Sequence, residues 1–283
     1  MNTRRDFIRT SIFAGAGILV ANPLLSVAAK GKNKLKNFGF ISGIAGEAMK
    51  ADWKGTLRKA VEFGFTEYEG GSGNASSPKE FLDYCKTIGI KPIAGGFDFK
   101  ASEEDLKKAL DTLNLLEMKY AVTYWPWLTG GPFMLEDCKK SAEMLNELGA
   151  KVKANGLQLL WHNHDKEFHE MEEGLPFDYL MKNTDKKLVQ CELDIYWVKK
   201  GGSDPLSVLK KYAGRIPVLH VKDMAPGPDQ DFICPGRGII DFASIFAEAR
   251  KQKIEHYFVE RDNEPDGIGC LKSSGEFLRN VRF

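Results

Sequence analysis

Trp161-His162-Asn163-His164-Asp165-Lys166-Glu167-Phe168 follows directly on Gly156-Leu157-Gln158-Leu159-Leu160, a largely apolar run of strand length opened by glycine. Two of the chain's five histidines stand here, at positions i and i+2. Side chains so spaced in a strand share a face. His162 and His164 are therefore expected to project together from a strand's C-terminal end. Three later apolar runs finish in the same way. Cys191-Glu192-Leu193-Asp194 closes on Asp194, Val218-Leu219-His220-Val221-Lys222-Asp223 carries His220, and Tyr257-Phe258-Val259-Glu260 closes on Glu260. Each run offers a metal-competent group at the carboxyl end of a strand, and that repetition decides the fold.

Working outward, strand-like and helix-like segments alternate from Lys36 to the end of the chain. Strands are expected at 37–41, 66–69, 91–96, 120–125, 157–161, 188–193, 217–221 and 256–259. Between them lie amphipathic stretches at 52–63, 78–88, 102–118, 135–154, 176–183, 204–212, 241–251 and 271–280. Asp52, Ser77 and either Ser203 or Asp204 are expected as N-caps, with Pro78 at a first helical position. Eight strand–helix pairs over roughly 245 residues predict an α/β protein, a single-domain (β/α)8 TIM barrel at 36–283. No GxGxxG opens a helix after the first strand, which sets aside a doubly wound sheet.

The formal net charge is +1, so no global field favours nucleic acid. The five cysteines, Cys85, Cys138, Cys191, Cys234 and Cys270, form no CxxC pair and are too sparse for a disulfide scaffold. Buried free thiols are expected. Residues 1–30 read differently from the rest. Arg4-Arg5 precedes a modest apolar run and Ser26-Val27-Ala28-Ala29, as in a twin-arginine export signal cleaved after Ala28 or Ala29. Gly15, Gly17, Asn22 and Pro23 interrupt the run, so no stable membrane span is expected after signal removal. A periplasmic location follows, and a homo-oligomer is compatible with the composition.

In a barrel the strand ends gather at one mouth. His162, Asp194, His220 and Glu260 would converge there as a mixed nitrogen–oxygen shell. That shell suits Mn²⁺, Co²⁺, Zn²⁺ or Fe²⁺ better than Ca²⁺. Two carboxylates buried side by side also call for a cation. Lys222 shares the face of His220 and is expected to have its ammonium form disfavoured beside a metal, as a base or proton donor. Glu69 ends the second strand within reach of a substrate hydroxyl. Tyr124, Trp125, Trp127 and Trp197 lie just past strand ends, where rings stack on sugars. Glu192, one pleat below Asp194, is expected to orient the ligands.

His162-Asn163-His164-Asp165 with Glu167-Phe168, Leu193-Asp194-Ile195-Tyr196-Trp197, His220-Val221-Lys222-Asp223, Gly236-Arg237-Gly238-Ile239-Ile240-Asp241-Phe242 and Val259-Glu260 occur in this order. Together they resemble the xylose isomerase-like TIM barrels, the sugar phosphate isomerases/epimerases, over roughly residues 36–283. The resemblance implies that Asp194, His220 and Glu260 hold a divalent metal. Many family epimerases place a glutamate on strand five, as ligand and base. Here His162 stands nearest that position, with His164 one pleat further out.

The reaction class implied is proton abstraction next to a carbonyl, with Lys222, Glu260 and His164 as the groups that move protons. A metal-dependent isomerase or epimerase of an unphosphorylated sugar is the first expectation. A lyase or hydratase acting on a keto-sugar such as a 3-keto-glycoside is the second, favoured by the missing strand-five glutamate. A non-catalytic carbohydrate-binding barrel is the third. An endonuclease on the same barrel would need a basic DNA face.

Overall fold

The computed structural model describes residues 31–283. The expected export signal at 1–30 lies outside the described residues. Eight parallel strands close into a barrel: β1 (Gly39–Ile41), β2 (Glu67–Glu69), β3 (Lys91–Gly96), β4 (Tyr120–Thr123), β5 (Gln158–His162), β6 (Val189–Asp194), β7 (Val218–Val221) and, last in the chain, β10 (His256–Val259). β10 pairs with both β1 and β7, which completes the ring. Between β7 and β10 a small antiparallel hairpin is inserted, β8 (Asp223–Met224) with β9 (Phe232–Ile233). The expected (β/α)8 barrel is the fold observed.

The helices form the outer layer: α1 (Gly46–Glu62), α2 (Pro78–Ile88), α3 (Glu103–Leu115), α4 (Leu135–Ala154), α5 (Pro176–Asn183), α6 (Ile195–Lys200), α7 (Pro205–Lys211), α8 (Phe242–Lys251) and α9 (Gly267–Asn280). Their apolar faces bury against the strands' outer faces, for example Leu106, Leu110 and Leu113 of α3. Ser77 and Asp204 cap α2 and α7 through their side-chain oxygens. α1 starts upstream of the expected site. Asp52 breaks it with φ −154° and ψ 84°, and its Oδ1 accepts from Gly55 N at 2.9 Å. Asp52 thus caps the second half of a helix that a preceding turn has already begun. None of the described helices is long and apolar enough to cross a membrane.

A second apolar cluster fills the barrel itself: Ile93, Ala94, Tyr120, Val122, Leu160, Val218 and Phe258. Gly39 belongs to this packing, because a Cβ there would lie 2.5 Å from the Phe258 ring. The plug is apolar only at mid-height, and polar side chains take over at both strand ends.

One expectation is corrected here. Cys234 and Cys270 form a disulfide with Cα atoms 5.5 Å apart, so only Cys85, Cys138 and Cys191 are free buried thiols. The bond ties the segment after β9 to α9. The partners are 36 residues apart, and only the folded hairpin brings them together.

Candidate metal centre and active site

Parallel register sets the centre. His162 of β5 lies opposite Glu192 of β6, and Asp194 of β6 opposite His220 of β7. Residues 220, 222, 192 and 194 therefore point inward in adjacent layers. One ligand atom from each of His162, Asp194, His220 and Glu260 lies within 4.8 Å of the others. His162, Asp194 and His220 are buried, and Glu260 is nearly so.

The imidazoles are oriented from below. Glu192 Oε2 stands 3.1 Å from His162 Nδ1 and 3.2 Å from His220 Nε2, so one oxygen serves both rings. Glu69 Oε2 lies 2.9 Å from His220 Nε2, and Tyr124 donates its hydroxyl to Glu69 Oε1 at 2.6 Å. In the tautomer that donates from Nδ1 to Glu192, His162 turns its Nε2 lone pair toward Asp194 Oδ2, 3.6 Å away. His220 carries a proton on Nε2, and its Nδ1 faces Glu260 Oε2 at 2.8 Å. Unlike nitrogens of two rings thus face one point. Burial holds His162 far below the ordinary imidazole range, helped by the charge of His220. Burial also opposes charge on His220, but Glu192 and Glu69 outweigh it and raise His220 well above that range.

The carboxylates fit a cation. Asp194 uses Oδ1 to cap α6, accepting from Trp197 N at 2.9 Å. Its Oδ2 is fully enclosed and accepts no hydrogen bond. Asn163 holds the backbone in place, accepting from Asp194 N at 2.9 Å. Burial raises Asp194 to about 6 and, with the charge of Glu69, Glu192 to about 8. Burial works the same way on Glu260, but Lys222 and His220 overcome it and hold Glu260 well below the usual carboxylate range. An enclosed carboxylate oxygen that accepts no hydrogen bond among the described residues, and meets Lys222 Nζ only at 3.4 Å, is an arrangement that a divalent transition cation would complete. His162, Asp194, His220 and Glu260 fit such an ion, which would replace the His220 Nδ1 proton.

Lys222 is enclosed by carboxylates. It is 1% exposed, with Nζ 3.1 Å from Glu260 Oε2, 3.4 Å from Asp194 Oδ2 and 2.9 Å from Asp262 Oδ2. Burial disfavours its charge, yet Asp194, Glu260 and Asp262 more than compensate, raising it above the ordinary lysine range. These three carboxylates favour the ammonium form of Lys222. Asp262 was missed in the sequence, although it stands two residues beyond Glu260, where strand alternation returns to the same side.

His164 lies outside the quartet. Its ring stands 5.1 Å from that of His162, 5.1 Å from Trp125 and 5.3 Å from Trp197. Its Nδ1 is enclosed without a partner, and burial lowers it to about 4, so it is a neutral imidazole near pH 7. Glu167 closes the turn beneath it, accepting from His164 N at 3.3 Å and from Trp127 Nε1 at 2.7 Å. Trp127 is therefore core, stacked on Phe133. Glu69, expected at a substrate hydroxyl, has both oxygens engaged by His220 and Tyr124 and is fully buried. This places Glu69 against the ligand His220, with the half-buried Tyr124 beside it. Trp197 remains at the mouth, half-buried, with Lys222 Nζ 5.1 Å from its ring centre.

Asp223, next after Lys222, accepts from the backbone N–H of Met224, Gly236, Gly238 and Ile240. A Cβ at Gly238 would lie 2.3 Å from Asp223 Oδ1. This explains the Gly-Arg-Gly run: its backbone wraps a carboxylate that pins the hairpin wall of the mouth.

Fold and centre define a (β/α)8 barrel with a histidine–carboxylate cluster at its C-terminal mouth. The chain belongs to the xylose isomerase-like TIM barrel family, whose sequence profile matches residues 57–280. An inosose dehydratase of Clostridium perfringens is 33% identical over 147 residues, 46% of this chain and 49% of that protein. The chain thus spans about half the length of the curated relatives it matches. A sugar phosphate isomerase/epimerase structure from Parabacteroides distasonis is similar with a TM-score of 0.73 at 22% identity, covering 90% of this chain and 98% of that one. The structure of the IOLI protein with a binding zinc atom gives 0.68 at 19% identity, covering 87% and 99%. Both structural likenesses are of fold.

Proposed function

We propose that this chain is a divalent-metal-dependent enzyme that eliminates water from an unphosphorylated keto-sugar or cyclic keto-polyol. The observation that carries the reading is the pairing of unlike groups at the mouth: a neutral His164 with an unpartnered Nδ1, and a charged, buried Lys222. The partial likeness to an inosose dehydratase supports the same reaction class.

A bound cation would stabilise the oxygen anion that develops when the proton leaves the carbon next to the carbonyl. His164 Nδ1 is the base that takes that proton. Lys222 Nζ donates to the departing hydroxyl, so the C–H electron pair becomes the new double bond and water leaves. Proton return from His164 to Lys222 restores both groups. Glu260 and Asp262 hold Lys222 charged for the next cycle, and Trp125 and Trp197 flank the base and exclude water. Isomerisation or epimerisation is the second reading, favoured by the fold of the Parabacteroides distasonis relative.

The test is a reaction in D₂O with keto-polyols and 3-keto-glycosides, followed by NMR with the metal-loaded protein. An unsaturated product is expected. Exchange or inversion at carbon without that product would replace elimination by epimerisation. Binding of sugar with neither change would leave a carbohydrate-binding barrel. We also propose export to the periplasm, supported by Arg4-Arg5 and by a disulfide, which persists in oxidising compartments. Retention of the precursor in an Arg4→Lys, Arg5→Lys variant is the expected result, and normal processing would reject it.

A further inference from the structure

The end of the barrel opposite the candidate metal centre holds a second cluster that the proposed reaction does not use. A cavity of 350 Å³ opens there, bordered by Lys34, Lys36, Lys91, Arg250, Lys253 and His256. All five cationic side chains are exposed, and none makes an ion pair or side-chain hydrogen bond among the described residues. This distinguishes them from Lys50, Lys54, Lys79, Lys86, Lys107, Lys139 and Lys151, each of which has a carboxylate partner.

The floor is built. His256 is 8% exposed, and its Nδ1 lies 3.1 Å from both oxygens of Glu67. The Tyr120 ring meets it edge-on at 5.7 Å and fixes its plane. With Nδ1 committed to Glu67, Nε2 is the ring's remaining polar atom. It makes no hydrogen bond among the described residues and is not among the enclosed unpartnered atoms. The ring borders this cavity and a second one of 200 Å³ beside Tyr120. An oxoanion at Nε2 would be met by an N–H whenever both ring nitrogens carry protons, with Glu67 behind the ring at Nδ1. Glu255 is the one other acidic side chain bordering the cavity, so cations exceed carboxylates around it. A cavity lined by an excess of one charge concentrates the opposite charge.

We propose that this cavity binds a multiply charged oxoanion, a phosphate group, with His256 Nε2 at its floor and the five cations at its rim. The site is independent of the proposed reaction. It differs from the metal centre in chemistry and lies at the other ends of the same strands.

The experiment titrates metal-free protein with inorganic phosphate, using acetate as a singly charged control. Binding is read from ³¹P line broadening and from the side-chain ¹⁵N shifts of the histidines. Saturable binding is expected, at least tenfold tighter for phosphate than acetate, with the shift at His256. A Lys36→Glu, Lys91→Glu variant and an Arg250→Glu variant should each bind at least tenfold more weakly. These residues are exposed, so circular dichroism should show the fold retained. No saturation, equal binding of acetate, or unchanged affinity in both variants would overturn the proposal. Shifts confined to His162 and His220 would overturn it too, by placing the anion at the opposite mouth.

Discussion

β2 and β10 share a histidine–carboxylate pair at the amino end of the barrel, and at the carboxyl end Glu69 and Glu260 face His220 of β7; the two ends are not alike. At the amino end Glu67 faces His256, and each is the other's partner. At the carboxyl end Glu69, Glu192, Asp194 and Glu260 surround two imidazoles and one ammonium. The first pair is balanced. The second group has more carboxylates than neighbouring cations, and Asp194 Oδ2 accepts nothing. The same residue types thus give a single pair at one end and a crowded cluster with more carboxylates than cations at the other. Strand direction decides which end collects the long loops and their chemistry.

The sharpest break between the ends is metal content. Reconstituted protein is expected to hold about one divalent transition metal per chain. His220→Ala or Asp194→Ala should reduce this to background after dialysis, while His256→Ala should leave it unchanged, all by elemental analysis. Metal retained in both upper variants, or lost in His256→Ala, would erase the distinction drawn here.

Turnover comes next. Lys222→Met should lower it by roughly 10²–10⁴-fold if the ammonium is the proton donor. The same variant should keep its metal, because the quartet does not include the lysine. Full activity would remove Lys222 from the mechanism and leave His162, His164 or Glu260 to move the proton.

The four strand ends were legible because a strand's period of two and its terminal residue both show in the sequence. Asp194, His220 and Glu260 close or nearly close apolar runs, and the observed strands end within a residue or two of those positions. What surrounds them was less legible. Asp194 was read as a ligand, but its second task as cap of the six-residue α6 was not, because so short a helix has no period to detect. The β8–β9 hairpin has two-residue strands and is equally silent. The Lys222–Asp262 pair was hidden because Asp262 comes from the loop after another strand, and only closure of the barrel brings them together. The Cys234–Cys270 bond was hidden for the same reason.

A smaller effect sharpens the role of the layer beneath the ligands. Glu192→Gln replaces one of two acceptor oxygens by a donor while keeping the shape. Metal affinity should fall by about ten- to a hundredfold, the usual range for a group that orients a ligand histidine. Glu67→Gln, the matching change at the other end, should leave affinity unaltered. Isothermal titration with Zn²⁺ or Co²⁺ measures both. Equal effects would mean that the buried carboxylates act through general stability.

The smallest expected effect concerns a buried carboxyl with no histidine at all. Glu167 is fully buried, and among the described residues its hydrogen-bond donors are Trp127 Nε1 and His164 N. Burial raises it well above the ordinary carboxyl range, although both hydrogen bonds work the other way. The folded protein therefore keeps this proton at a pH where the unfolded chain has released it. Its contribution to stability is complete below the unfolded value, near 4.5, and is lost as pH rises toward the raised folded value. Glu167→Gln cannot ionise and lacks this dependence. Relative to wild type, the variant should gain stability steadily as pH rises above the unfolded value near 4.5, as read from urea midpoints at matched pH. Parallel curves over that range would mean that Glu167 ionises in the folded state with no penalty. The two N–H groups would then suffice to hold a carboxylate beneath the catalytic turn, as His256 holds Glu67 at the other end.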